Sequence, residues 1–247
     1  MPDLSLIEII EILLIAVVLI YLIRFIWIML IKRAYEPVSW QLAVKNKQVP
    51  HPLVKLSRTF PDKTRFFNIW LQAERLKQSG VTGEFAELGV YKGETARLIH
   101  LCDPERKLHL FDTFQGFKAS DLEKEEGEAA TYTPRNFADT TIDRVKRYVA
   151  GKDNVIFHPG HFPESTSGME DIKYALVHID ADLYNSIKAG LEYFYPRLSP
   201  GGIIIVHDYN EKWRGALKAV NEFSEKIPEA LIPVPDKDNS VMIVKSK

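Results

Sequence analysis

The sequence predicts a doubly wound α/β domain with a mainly parallel sheet, preceded by a membrane-spanning helix. Three observations carry this. From Lys63 onward, helical periodicity alternates with short apolar runs. Those runs end in unusually polar residues, where such sheets bind ligands. A single long apolar stretch lies near the N-terminus.

Composition narrows the function before any motif does. The chain has 247 residues, 46% of them hydrophobic, enough for a buried core. Lys and Arg number 32 against 33 Asp and Glu, so the net charge of -1 gives no general attraction to nucleic acid. Cys102 stands alone, which excludes an intrachain disulfide and a CxxC metal site and fits a reducing compartment. Any metal here takes oxygen or imidazole ligands.

The first element is the apolar stretch 12–31, interrupted by Arg24. About 20 apolar residues cross a bilayer as a helix, and residues 1–34 are expected to form a single-pass anchor. Glu8, Glu11 and Arg24 keep an amphipathic or buried helix in view. Arg24 costs about 2.5–3.5 kcal/mol at a membrane centre, which an anchor tolerates. Asp3, Glu8 and Glu11 precede the span and Lys32 and Arg33 follow it, so the positive-inside rule places the C-terminal domain in the cytoplasm. Residues 35–61, with Pro37, Pro50, Pro52 and Pro61, read as a linker along the membrane surface, and 62–247 as the folded domain.

Within that domain a helix is expected at 64–78, stopped by Gly80. Apolar runs place strands at 84–88, 107–111, 154–158, 174–179 and 203–207, with a final pair near Ile232 and 241–244. Helical spacing fills the gaps at 94–101, 141–149, 184–195 and 212–226, the last opening after Asp208 and Asn210. The acidic stretch 121–128 reads as a solvated loop that can also close over a substrate.

The first strand runs into Glu87-x-Gly89-x-x-x-Gly93 and then a helix, a turn whose glycines let backbone approach a ligand. The second strand ends in Asp112, an acid placed to accept the hydrogen bonds of a ribose diol. A nicotinamide dinucleotide needs such an acid too, but its pyrophosphate requires the GxGxxG loop that is missing here. Glu87 suits the ammonium and sulfonium charges of S-adenosylmethionine instead. Thr95, at the start of the next helix, is placed for the methionine carboxylate or simply opens the helix. After the third strand, Gly160, His161 and Phe162 frame the expected adenine position, and a surface turn explains Pro159 and Gly160 equally well.

Two neighbouring strands then deliver acids to one crevice, the fourth through Asp180-Ala181-Asp182 and the fifth through His207-Asp208. Asp180, Asp208 and His207 form a candidate site for magnesium or manganese, with Asp180 as the proton acceptor. Asp182 is assigned to capping the following helix, and His178, inside an apolar strand, to the core.

Together these segments resemble the macrocin O-methyltransferase family, which methylates sugar hydroxyls of macrolides. The resemblance runs from about Thr64 to the C-terminus and rests on residues 83–93, on 111–116 including Thr113, on 180–186 and on 195–202. It implies a class I methyltransferase, Rossmann-like, with a seven-stranded sheet, S-adenosylmethionine as methyl donor and a magnesium site at the fourth and fifth strand ends. Asp180 and Asp208 match the family's ligands. His207 departs from it, standing where the family has the first of two adjacent aspartates, which moves metal preference toward manganese, iron or zinc. The anchor lies outside the resemblance and suggests a lipid-linked or surface-bound acceptor. Two other readings stay open on the residues alone, a nicotinamide-dependent oxidoreductase and a non-catalytic membrane-tethered binding protein. The sequence also leaves a homo-oligomer open.

Overall fold

The computed structural model describes residues 5–30, 36–123 and 125–246, in two compact units divided between Val49 and Pro50. In the first unit, α1 (Leu6–Leu30) is a continuous helix and α2 (Val38–Lys45) follows. Ser5 and Glu8 form a reciprocal capping box: the Glu8 carboxylate accepts from the Ser5 N–H at 2.7 Å and from its hydroxyl at 2.8 Å, while Ser5 Oγ accepts from the Glu8 N–H at 3.3 Å. That is why α1 begins well before residue 12. Residues Leu6–Met29 are long and apolar enough to cross a bilayer, about 36 Å at helical rise, and none of that window is buried. The charges invoked for topology at Asp3, Lys32 and Arg33 lie outside the described residues.

The second unit starts with α3 (His51–Thr59), inside the stretch expected as linker. Pro50 and Pro52 do not break this helix, because they sit at its N-terminal end, where proline lacks no needed donor. Leu53, Leu56 and Phe60 are buried. Next come α4 (Lys63–Gln78), β1 (Glu84–Leu88), α5 (Glu94–Cys102), β2 (Leu108–Asp112), the single-turn α6 (Ala119–Leu122), α7 (Ile142–Val149) and β3 (Val155–Pro159). The chain continues through β4 (Tyr174–Ile179), α8 (Tyr184–Phe194), β5 (Leu198–Val206), α9 (Arg214–Ser224), β6 (Ile232–Val234) and β7 (Ser240–Val244).

The sheet has seven strands in the order β3-β2-β1-β4-β5-β7-β6, with β1 to β5 parallel and β7 antiparallel to both of its neighbours. Val177, Ile179, Ile204 and Val206 pack with Ile187, Leu191, Ala216 and Val220 of α8 and α9. Phe66, Ile69, Trp70, Leu98 and Ile99 of α4 and α5 are fully or nearly fully buried. Strand order reverses between β1 and β4, the switch point at which open sheets of this kind form a ligand crevice. Each strand was expected near its place; β5 begins earlier than foreseen, because Leu198 already pairs with Tyr174 before the register shifts to Leu176 and Ile203.

Candidate functional site

Register brings the predicted residues together. Leu88 pairs with Ile179 and Ile179 with Val206, so Gly89, Asp180 and His207 follow three neighbouring strands at the same level. The Asp180 N–H donates to the Leu88 carbonyl at 2.8 Å and the His207 N–H to the Ile179 carbonyl at 2.9 Å, continuing the ladder past the strand ends. On the other flank the Gly160 N–H reaches the Asp112 carbonyl at 3.0 Å. A cavity of about 460 Å³ opens there, lined among others by Glu87, Gly89, Thr95, Asp112, Asp180 and Asp182.

The two glycines of the first turn also serve the packing of the strands and helices around it. Gly89 has φ +87°, and a Cβ on it would lie 1.9 Å from the Asp180 carbonyl oxygen. It therefore lets β1 and β4 close at their ends, while its backbone lines the cavity. Gly93, at φ +83°, starts α5, and an added Cβ would press on Val145 of α7 at 2.8 Å. Gly93 is a packing residue outside the cavity wall. The Asp112 carboxylate accepts from the N–H groups of Val90 at 2.7 Å, Tyr91 at 2.8 Å and Phe114 at 2.6 Å. It clasps the turn, so any ribose contact has to be shared with that role. Thr113 Oγ donates to the Gly116 carbonyl at 2.7 Å.

Glu87 is buried, and its Oε1 lies 3.1 Å from His178 Nδ1. Burial discourages charge on either partner: it pushes Glu87 well above the usual carboxylate range, with Asp180 and Asp112 adding to the effect, and His178 down to about 3. Glu87 Oε2 is buried with no hydrogen-bond partner, an acceptor available to a cationic ligand in the cavity it lines.

At the expected adenine end, Gly160, His161 and Phe162 all line the cavity. Both His161 nitrogens are engaged, by Glu164 at 2.9 Å and Asp121 at 2.8 Å. Burial opposes charge on His161, but these two carboxylates outweigh it and raise its pKa. Phe162 is mainly a core residue, 5.5 Å from the rings of both Phe111 and Phe194.

Asp180, His207 and Asp208 offer ligand atoms that all lie within 4.8 Å of one another. His207 Nδ1 is 3.2 Å from Asp180 Oδ1 and 3.0 Å from Asp208 Oδ1, yet aligned for a hydrogen bond with neither. Adjacent ligands of an octahedral ion at about 2.1 Å stand about 3.0 Å apart, so this donor set fits a small divalent cation. Burial opposes charge on His207, but Asp180 and Asp208 raise its pKa, so an ion entering here displaces a proton. His207 and Arg65 in turn overcome burial to hold Asp180 well below the usual carboxylate range.

Two residues of the site were not foreseen. Asp182 was assigned to capping, but α8 has Leu183 at its N-cap position with no side-chain cap. The Tyr184 N–H instead donates to Glu125 Oε1 at 2.8 Å, so the acidic stretch expected as a solvated loop supplies the helix end. Asp182 lines the cavity at φ +59°, a backbone conformation costly for a residue with a Cβ. Burial, Asp180 and Asp208 raise its pKa well above normal. Asp208, expected as a ligand or a cap ahead of α9, is no cap either, because Trp213 occupies that position. The second unforeseen residue is Arg65 on α4, whose guanidinium lies 3.8 Å from Asp180 and touches His207 Nε2.

The sequence model described as Macrocin-O-methyltransferase (TylF) matches residues 32–239. An 8-demethyl-8-(2,3-dimethoxy-alpha-L-rhamnosyl)-tetracenomycin-C 4'-O-methyltransferase of Streptomyces olivaceus is 28% identical over 165 residues, 62% of this chain and 63% of that protein. A mycinamicin III 3''-O-methyltransferase of Micromonospora griseorubida is 29% identical over 169 residues, 62% of this chain and 66% of that protein. The chain thus spans just under two thirds of the length of these relatives. Among solved structures, the O-methyltransferase NovP superposes with a TM-score of 0.65 at 25% identity, covering 75% of this chain and 81% of NovP. The calicheamicin methyltransferase CalS11 shares the fold at a TM-score of 0.59 and 21% identity, covering 83% and 89% of the two chains.

Proposed function

The chain belongs to the macrocin O-methyltransferase family, and we propose that it transfers the methyl group of S-adenosylmethionine to a hydroxyl of a sugar-type acceptor. The observation that carries this is Glu87, its buried Oε2 without a partner, lining the same cavity as Asp180 and Asp182, an acceptor for a sulfonium cofactor's ammonium beside acids able to take a proton. Glu87 meets the cofactor ammonium, Thr95 and the N-terminus of α5 face its carboxylate, and the Asp112 end of β2 faces its ribose. Gly160, His161 and Phe162 border its adenine.

The acceptor oxygen attacks the methyl carbon as the carbon–sulfur bond breaks, releasing S-adenosylhomocysteine, and the hydroxyl proton passes to a carboxylate. Asp180 and Asp182 both line the cavity and are the carboxylates placed to take that proton. Asp180, His207 and Asp208 would hold a divalent cation, magnesium or more readily manganese, which would lower the pKa of the acceptor hydroxyl.

By their names, the first relative above methylates a rhamnosyl-tetracenomycin and the second mycinamicin III. Here α1 supports a membrane-anchored enzyme with a lipid-linked or surface-bound sugar as acceptor. The test is transfer of labelled methyl by the detergent-solubilised full chain to lipid-linked and to soluble deoxysugars, with calorimetry against S-adenosylhomocysteine and NAD. Heat with NAD alone overturns the cofactor reading. Transfer only to soluble sugars overturns the membrane acceptor.

A further inference from the structure

Arg65 sits on the first turn of α4, where Asp62 fixes its backbone: Asp62 Oδ1 accepts from the Arg65 N–H at 3.0 Å, and Oδ2 from the Lys237 N–H at 2.7 Å. The long side chain is held far less firmly. Its Nη1 is 3.8 Å from Asp180 Oδ2, its Nε 3.6 Å from Asp236 Oδ2 and its Nη2 3.9 Å from Asp238 Oδ2, all beyond hydrogen-bond length. The buried Nε has no hydrogen-bond partner. A guanidinium this close to three carboxylates, and locked onto none, is shared between the reaction centre and the turn before β7.

We propose that Arg65 is a built-in cation that competes with a divalent ion for the Asp180, His207 and Asp208 cluster, and that Asp238 receives its charge when the ion enters. This rests on the metal reading of the site given above. The effect is direct repulsion between the guanidinium, 3.8 Å from Asp180 and in contact with His207, and an ion that takes those two residues as ligands.

An alternative acceptor must exist for Arg65 to leave. Asp236 is already committed, accepting from the Ser240 N–H at 2.5 Å and from the Ser240 hydroxyl at 2.6 Å. Asp238, with a side chain 30% exposed, is free to take the guanidinium outward.

Mn²⁺ uptake by the solubilised full chain, read from loss of the free-ion resonance in electron paramagnetic spectra, tests the competition without an activity assay. Arg65→Met should bind Mn²⁺ about tenfold more tightly than wild type, and Asp238→Asn several-fold more weakly, because Arg65 then has nowhere else to go. Unchanged or weaker uptake in Arg65→Met overturns the competition and leaves the metal site standing; a residue that merely orients the ligands predicts that weakening. Uptake by Asp238→Asn equal to or tighter than wild type also overturns the proposal, and this turn variant decides it if Arg65→Met does not fold. No uptake by wild type and Arg65→Met alike overturns it together with the metal reading.

Discussion

Gly89 and Asp180 meet backbone to backbone, so that a Cβ on Gly89 would lie 1.9 Å from the Asp180 carbonyl oxygen and 2.6 Å from its carbonyl carbon. Neither atom can yield without parting β1 from β4. Gly89→Ala should therefore lose about 2–4 kcal/mol, the strained φ adding to the overlap, and lower the melting temperature by several degrees or more. Gly93→Ala meets only side chains, Val145 at 2.8 Å and Val149 at 3.1 Å, and should lose less, about 1–2 kcal/mol. Thermal denaturation of both variants checks the order; equal losses would refute it.

Asp182 has no capping duty and lines the cavity beside Asp180. If it takes the hydroxyl proton, Asp182→Asn should slow methyl transfer by about 10²–10⁴-fold, the range for removing a general base, and leave S-adenosylhomocysteine affinity near wild type. Single-turnover transfer and calorimetry separate the two. Asp180→Asn should slow transfer as well, but with loss of Mn²⁺ uptake, which Asp182→Asn retains.

The two acids also show what sequence could and could not convey. Apolar runs bounded by polar residues fixed the five parallel strands and put Glu87, Asp112, Asp180 and His207 at their carboxyl ends, because strand ends can be counted. Whether an aspartate caps the next helix cannot be counted. It depends on φ at Asp182 and on Glu125, 57 residues earlier, taking the cap position on α8. Arg65 gave no signal at all. It lies on a helix 115 residues before Asp180, and only the packing of α4 against the sheet brings it to the site. The prolines of 50–61 misled in the same way, since their meaning depends on whether they fall at a helix start or inside a loop.

Burial pushes the pKa of Glu87 well above the usual carboxylate range, and its buried Oε2 has no partner in a residue that lines the cavity. A cationic ligand there would restore its charge and release a proton. Binding heats for S-adenosylmethionine should accordingly vary with the ionisation enthalpy of the buffer near neutral pH. Glu87→Gln should abolish that variation and weaken binding about tenfold, the usual worth of one charge-assisted hydrogen bond. Buffer-independent heats in the wild type would show that Glu87 is not the ammonium receptor.

The opposite edge of the sheet should make the protein acid-sensitive. His109 Nδ1 lies 2.8 Å from His158 Nε2, the two rings stack at 5.1 Å, and Glu84 contacts the far side of His109. Burial lowers the pKa of both, that of His158 to about 4 with His109 contributing. In the unfolded chain both return to about 6.5. Between those values the unfolded state binds more protons than the folded one, so stability falls as pH drops from about 6.5 toward 4. For His158, only half-buried, the loss should be about 1 kcal/mol after allowance for solvent screening. His158→Asn also forfeits the ring contact with Phe111, so the comparison belongs in the slope of stability against pH, not in its absolute value. Urea unfolding at pH 7 and pH 5 should show a smaller pH-dependent loss in the variant than in the wild type, and equal losses would place the acid sensitivity elsewhere.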